Sequence, residues 1–252
     1  MMSAGQWVAL GLSLGIGLLL GLIGSGGSIL ILPALVYIAG IEPHAAVPMS
    51  MAVVGSTSLV GAWWHARRGD IHYRAVLLFG GTGIVGAYLG SAGTHWVGER
   101  TLMLLFAGLL LVVGVLMLRG WMPRSPAGVC QPFRCLLLGA AVGLLSGLFG
   151  VGGGFLIVPA LVLFAGVRTR AAIGTSLAII ALNAGAGLAG QLRYGGLVWG
   201  YTLALVGVTL GGMFLGLAVS GRRLAEEHLR KGFALVLLLV AAGVAGLNWF
   251  AR

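Results

Sequence analysis

The sequence predicts an all-α polytopic membrane protein made of two inverted-topology repeats, each with about five membrane segments. Composition is the first of three observations behind this prediction. Of the 252 residues, 59% are hydrophobic and only 8% are charged, and the mean hydropathy is +1.07. A soluble domain carries about 25% charged residues. This chain therefore lacks the polar surface that a water-soluble body of its size needs.

An internal repeat is the second observation. When residue 21 is set on residue 147, 20 of the 50 positions in 21–70 and 147–196 are identical. Low complexity matches scattered glycines and leucines, but it does not align prolines, serines and arginines in one register. The aligned pairs include Pro33/Pro159, Ser50/Ser176 and Arg67/Arg193. We infer an internal duplication.

Hydropathy divides each half into five apolar segments. A full crossing takes about 20 residues, so the second segment of each half is short. Each short segment either crosses at a tilt or forms a re-entrant hairpin with its predecessor, which gives about 8–10 segments in total. The first repeat is expected at 1–122, a linking loop at 123–133 and the second repeat at 134–252. The segments are 6–23, 28–40, 45–65, 74–93 and 101–118, followed by 134–149, 154–166, 171–191, 197–219 and 232–249.

The distribution of Lys and Arg is the third observation. If the short segments did not reverse the chain, the 15 basic residues would divide about evenly between the two sides. If they do reverse it, only Arg100, Arg193 and Arg252 lie on one side, and the other twelve basic residues share the opposite side. This bias fits the positive-inside rule and predicts opposite halves with both termini outside. We attribute most of the +10 net charge to topology, with attraction of an anionic substrate as the alternative.

A cluster of small residues precedes each short segment. Glycine inside a helix costs about 1 kcal/mol relative to alanine, so each cluster favours a helix break. The new helix that follows offers free N–H groups to an anion, and paired breaks mark the central site of transporters. We therefore expect one substrate site near the midplane, with close helix packing as the alternative. The candidate residues are Gly24, Ser25, Gly26, Gly27 and Ser28, with Gly150, Gly152, Gly153 and Gly154.

Polar residues recur along the third segment of each half. Ser50, Thr57, Ser176 and Asn183 are candidate hydrogen-bond donors to the substrate. The alternative for each is a hydrogen bond between helices.

Charged and titratable residues lie at the segment ends. Arg67 and Arg193 are candidates for gating or anion attraction, although membrane anchoring is the commoner role of such arginines. His65 is a candidate for proton coupling.

Several function classes fit the sequence poorly. All five acidic residues lie in loops or at segment ends, which argues against a cationic substrate. Ser25 has no intramembrane base, so a serine protease is a remote alternative and no enzymatic activity is expected. An anion channel stays open as an alternative. The acidic residues are Glu42, Asp70, Glu99, Glu226 and Glu227.

The paired motif resembles that of a known family. Each copy reads Gly-x-x-Gly-x-Gly-Gly-x5-Pro, from residue 21 and from residue 147, and is followed by Ala-Ala-x3-Ser at 45–50 and 171–176. These motifs resemble the TauE/SafE sulfite exporter family, part of the 4-toluene sulfonate uptake permease group. The resemblance implies a bacterial inner-membrane secondary transporter, often an exporter, of sulfite, organosulfonates or related small anions. It implies a small anionic substrate and the lipid bilayer as partners, with no nucleic acid, metal or cofactor, and leaves homo-oligomerisation open.

Overall fold

The computed structural model describes residues 3–23, 25–119, 132–150, 154, 156–158, 161, 169–193, 197–219, 235 and 237–246. Over these residues the regular structure is entirely helical, without a strand. Where they fall in the described ranges, the predicted apolar segments are confirmed as helices, apart from residues 39–40 and 197–198 at segment ends. Most of the segment predicted at 154–166 and nearly all of the linking loop lie outside those ranges.

Nine helices can be delimited among the described residues, and residues 154, 156–158, 161 and 235 are helical as well. The second is a composite of a 3-10 turn (Ser25–Leu30), an α-helical turn (Ile31–Pro33) and a π-helical turn (Ala34–Ile38). Helix α4 likewise contains a π-helical stretch at Val76–Gly80. The helices are α1 Ala4–Ile23, α2 residues 25–38, α3 Pro43–Ala66, α4 Tyr73–Thr94, α5 Glu99–Leu118, α6 Pro132–Phe149, α7 Thr169–Gln191, α8 Trp199–Val219 and α9 Leu237–Gly246.

Six of these helices are long and apolar enough to cross a membrane. They are α1, α3, α4, α5, α7 and α8, whereas the apolar parts of α2, α6 and α9 are shorter. At about 1.5 Å per residue, the 24-residue α3 is about 36 Å long, enough for a hydrocarbon core of about 30 Å. The described chain is therefore a multi-span membrane protein.

Two glycines make the tight turns at either end of α3. Gly40 and Gly69 have φ angles of +66° and +73°, in the left-handed region that L side chains rarely adopt. Pro43 then starts α3 at a position where no backbone N–H is needed. We call the end of the bundle that carries Ser3, Pro43 and Trp96 the Trp96 face, and the opposite end the Arg67 face.

The first helix of each half packs in parallel against the fourth segment of the other half. Helix α1 lies along α8, with Tyr201 donating a hydrogen bond to the Gln6 carbonyl near one end and Gly21 against Met213 near the other. Helix α6 lies along α4 in the same way, from Phe79 and Gly139 to a hydrogen bond between Thr94 and the Leu148 carbonyl.

The third helices of the two halves, α3 and α7, pack against each other antiparallel. The contacts run in opposite chain directions along the two helices. Gly55 meets Ala184 near the middle of both helices. From one end to the other, the contacting pairs are Met51/Gly187, Gly55/Ala184, Gly61/Leu177 and His65/Gly174.

Glycines bring the paired backbones into contact. A methyl group added to Gly17 would collide with the Thr209 carbonyl of α8, and one added to Gly143 would collide with Gly83 of α4. Close approach of this kind is how membrane helices associate, because lipid offers little hydrophobic drive for pairing. Gly17 and Gly143, which lie outside the two glycine clusters, therefore serve helix packing.

Exchanging Gly17 for alanine should therefore lower stability, by about 1–3 kcal/mol, because the added methyl separates α1 from α8. Gly15 is the matched control in the same helix, since a methyl there meets nothing within 4 Å. Gly15→Ala should leave stability unchanged or raise it by about 1 kcal/mol through helix propensity. Thermal unfolding in detergent measures both, and equal effects at the two positions would contradict the packing assignment.

Candidate functional site

The second glycine cluster is tied to α3 by the serine that repeats in the sequence. Gly150 follows α6 with a φ of +71°, and its N–H donates to the Ser146 carbonyl at 3.0 Å. The Ser50 hydroxyl lies 2.7 Å from the Gly150 carbonyl and 2.7 Å from the Val47 carbonyl, so it can donate to either. The predicted candidates Ser50 and Gly150 are thus brought together.

The first cluster lies in a hairpin formed by α1 and α2. A helical turn begins inside the cluster, at Ser25, instead of after it, as a 3-10 turn that small residues readily allow. Gly27 packs against Ile16 and Leu20, and at the other end of the hairpin the Ile38 carbonyl meets Gly5. Helix α2 therefore runs back along α1 toward the Trp96 face, and its first turn contacts α7.

The flanks of the two clusters lie toward opposite ends of α3. Gly150 contacts the beginning of α3, near Ser50. Gly21, just before the first cluster, packs on Met213, whose side chain reaches Gly61 near the end of α3. Ser50 and Gly61 are about 16 Å apart along the axis of α3. The single midplane site stays a prediction, because Gly24, Gly152 and Gly153 lie outside the described residues.

Ser28 and Gly154 are also members of the two clusters. Both are buried in the structure, and Gly154 is helical. Ser25 and Gly26 belong to the first turn of α2.

Buried polar side chains lie near the crossing of α3 and α7. Thr57 is buried and donates to a carbonyl of its own helix, that of Val53 or Val54, at 2.8 or 3.0 Å. Asn183 is also fully buried and packs against Gly83, but neither its amide oxygen nor its amide nitrogen has a hydrogen-bond partner. Leaving a buried polar group unpaired costs about 1–3 kcal/mol. Asn183 is thus a free donor and acceptor in the middle of a membrane helix.

Two further buried hydroxyls lack a hydrogen-bond partner. Ser176, the repeated serine of the second half, has one. Ser58 on α3 and Ser146 on α6 are buried without a hydrogen-bond partner. Ser176 donates to the Ile173 carbonyl of its own helix at 2.7 Å. Ser50 and Ser176 therefore occupy equivalent sequence positions, but only Ser50 has a described bond to another segment.

Both candidate arginines are exposed and lie over aromatic rings. The Arg67 guanidinium is 3.9 Å from the centre of the Trp63 ring, and that of Arg193 is 5.3 Å from the Tyr88 ring. They sit at opposite faces of the bundle, after the ends of α3 and α7. Cation–π contacts with interfacial aromatics are typical of membrane anchors, so the geometry favours anchoring for both.

His65, the candidate for proton coupling, sits near the Arg67 face. Its Nδ1 atom is 3.7 Å from an Asp70 carboxylate oxygen, and the imidazole packs against Gly174 of α7. The main-chain N–H of His72, in the same loop, donates to the Thr175 hydroxyl at 2.9 Å. The end of α3 and the start of α7 are thereby held together.

A second histidine–carboxylate pair, at the Trp96 face, was not anticipated. Nδ1 of His44 is 3.1 Å from Oε1 of Glu99, and Nε2 is 3.0 Å from the Thr94 carbonyl. The His95 ring stacks on His44 at 5.7 Å, and its Nε2 is 2.8 Å from the Gln191 amide oxygen. His44 and Glu99 are separated by 55 positions in the chain, so no short sequence motif predicts the pair.

Four helices of the bundle border a small cavity. Its volume is about 10 Å³, and it lies among α1, α2, α3 and α8, beside the buried hydroxyls of Ser13 and Thr209. A cavity of this size holds about one water molecule. Among the described residues, no group of three or more His, Cys, Asp or Glu side chains could hold a metal ion.

Comparison with known proteins relates nearly the whole chain to membrane transporters. The model of the family described as "Sulfite exporter TauE/SafE" matches residues 9–244. A "Probable membrane transporter protein" of Xylella fastidiosa (strain 9a5c) is 35% identical over 243 residues, covering 93% of this chain and 92% of the relative.

More distant relatives carry similar descriptions. The "Probable membrane transporter protein YdhB" of Bacillus subtilis (strain 168) is 34% identical over 180 residues, 69% of this chain and 74% of the relative. A "Probable membrane transporter protein MJ0441" of Methanocaldococcus jannaschii is 27% identical over 250 residues, 92% of this chain and 90% of the relative. No solved structure matches the chain.

The contact between Ser50 and Gly150 predicts that loss of the Ser50 hydroxyl costs more stability than loss of a hydroxyl that bonds within its own helix. Ser50→Ala should lower the free energy of unfolding by about 1 kcal/mol, because the Gly150 carbonyl loses its donor. Ser56→Ala is the matched control, since Ser56 bonds only to the Ala52 carbonyl of its own helix. Denaturation in detergent compares the two, and an equal loss from both variants would show that the tie to Gly150 contributes nothing.

Proposed function

The chain is a multi-span membrane protein that belongs to the sulfite exporter TauE/SafE family of membrane transporters, and we propose that it exports a small sulfur oxyanion. The proposed substrates are sulfite, organosulfonates and related anions. The proposed location is the bacterial inner membrane. The family match supports the transport class, and the features below support the anion and the mechanism.

We propose further that the two halves are inverted repeats. Helices α3 and α7 occupy equivalent positions in the duplicated sequence and pack antiparallel, which supports opposite orientations of the two halves. The exchanged pairing of α1 with α8 and of α6 with α4 supports a pseudo-two-fold relation. Inverted repeats suit a secondary transporter, because rocking of one half against the other opens a central site to each side in turn.

The positive-inside rule then assigns the two faces. Arg67, Arg68 and Arg74 lie at the end of α3 and the start of α4, and Arg119 follows α5 at the same face. The Trp96 face carries Arg100 and Arg193 among the described residues. The Arg67 face is therefore proposed to be cytoplasmic, which places Ser3 and the start of α1 in the periplasm.

The unpaired amide of Asn183 is the observation that carries the proposed site. Oxyanions accept hydrogen bonds, and a neutral amide donates one without bringing a charge into the membrane. A buried amide that lacks a partner in the closed bundle gains one when an oxyanion arrives. Ser58 and Ser146 supply further unpaired hydroxyls in the same bundle.

A carrier fits the proposed inverted repeats better than a channel does. In a carrier, rocking of the halves opens the central site to one side at a time, so no continuous wet path is needed. The cavity among α1, α2, α3 and α8, which holds about one water molecule, suits a closed state between the two open ones. We propose that the bundle is in such a closed state of the transport cycle.

Substrate flux into proteoliposomes tests the site directly. Wild type should take up sulfite or a sulfonate such as methanesulfonate with saturation, and Asn183→Leu should reduce that flux at least about ten-fold, because the variant removes the amide donor at similar volume. Asn183→Leu should fold at least as stably as wild type, since it removes an unpaired buried polar group.

Thr202→Val is the control for Asn183→Leu, because Thr202 is buried and its hydroxyl donates to the local Val198 carbonyl, just before α8. Saturable flux that survives in Asn183→Leu would support the transport function and would show that the Asn183 amide does not bind the substrate. Gly153→Leu tests the second glycine cluster in the same assay, and loss of flux is expected there as well.

Topology is tested by cysteine labelling in cells, in a chain with Cys130 and Cys135 replaced by alanine. Cysteines placed at Ser3 and Trp96 should react with a membrane-impermeant maleimide added outside the inner membrane. A cysteine at His72 should react only after the membrane is permeabilised. The reverse pattern would place the termini in the cytoplasm and overturn the assigned orientation.

A further inference from the structure

We propose that His44 and Glu99 form a proton-binding site at the Trp96 face that couples anion transport to proton movement. The coupling rests on the proposed transport function. The proton site itself rests on geometry alone. Neither the family match nor the relatives assign a role to these residues.

The hydrogen-bond partners of His44 show where the proton resides. Its Nε2 atom faces two carbonyl oxygens, those of Thr94 at 3.0 Å and Val97 at 3.2 Å, so Nε2 must carry a hydrogen. Its Nδ1 atom faces a carboxylate oxygen of Glu99 at 3.1 Å. Two heavy atoms that are both acceptors stay this close only with a hydrogen between them. The pair therefore holds one exchangeable proton, on His44 or on Glu99.

Loss of that proton leaves the Nδ1 lone pair facing a carboxylate oxygen. The hydrogen bond is then replaced by repulsion between two acceptors, so the beginning of α3 separates from the start of α5. The Glu99 side chain is 44% exposed and that of His44 is 29% exposed. Water therefore reaches the pair, and the proton can exchange with the solution at this face.

Other titratable and charged groups lie near this pair. His95 stacks on His44 from the end of α4 and hydrogen-bonds Gln191, which itself donates to the Ser91 carbonyl. The other charged groups described nearby are Glu42, Arg100 and Arg193, all of them exposed. Arg193 is placed over Tyr88.

The proton site is joined to the second glycine cluster through two short paths. Thr94, whose carbonyl accepts from His44, donates from its hydroxyl to the Leu148 carbonyl at 3.0 Å, two residues before Gly150. On the other path, Ser50 lies less than two turns after His44 in α3 and contacts the Gly150 carbonyl. A change at His44 therefore moves both supports of the cluster that is proposed to meet the substrate.

Proton movement during transport tests the proposal. Vesicles containing the protein and a trapped pH indicator receive a gradient of methanesulfonate. Because methanesulfonate stays an anion throughout, a change of pH inside the vesicles reports proton movement through the protein. Wild type should move protons with the anion. His44→Gln and Glu99→Gln should lose that proton movement, and His72→Gln, a histidine exposed at the opposite face, should keep it. Undiminished proton movement in His44→Gln would overturn the proposal.

A second readout needs no substrate, so failure of the proposed transport function does not leave the proton site untested. The proton shared by His44 and Glu99 is held between them only in the folded protein, because the unfolded chain separates the two residues, so the stability that the pair contributes must depend on pH. The stability difference between wild type and His44→Gln should therefore change with pH. The same difference for His72→Gln should not change. A difference for His44→Gln that is independent of pH refutes the site, whether or not any sulfonate is transported.

Discussion

The antiparallel crossing of α3 and α7 is the contact on which the rest of the bundle depends. Gly55 and Ala184 meet near the centre of both helices, and Gly187 receives the Met51 side chain, so the two helices approach with little side-chain volume between them. The first turn of α2 contacts α7, and Gly150 contacts α3. The first turn of α2 and Gly150, which are the described parts of the two clusters in contact with this pair, are therefore positioned by it.

Hydrogen bonding within a membrane imposes the second constraint. With no bulk water available, hydroxyls bond to carbonyls of their own helix, as Thr57, Ser176 and Thr209 do. Such bonds satisfy the donor and leave the side chain unavailable to a ligand. Asn183 is the contrasting case, because an amide one carbon longer than serine packs against Gly83 and finds no partner there.

Much of the fold could be predicted from the sequence, and the contacts of the site could not. Hydropathy and the repeat place helices α1, α3, α4 and α5 within a few residues of their observed ends. Identity across the repeat does not predict that Ser50 reaches Gly150 while Ser176 bonds within its own helix, because the hydroxyl partner depends on how a neighbouring segment ends. The His44–Glu99 pair escapes prediction for a related reason, since it forms only when the ends of α3, α4 and α5 meet.

The two halves differ at the proposed proton site. The repeat positions of His44 and Glu99 are Arg170 and Ala225, which cannot form the same pair. In the proposed mechanism, a proton exchanged beside Glu99 would therefore act at the Trp96 face alone. Net transport would still run in the direction set by the gradients of the anion and the proton, so the difference between the two ends decides which closing step the proton affects and not the direction of transport.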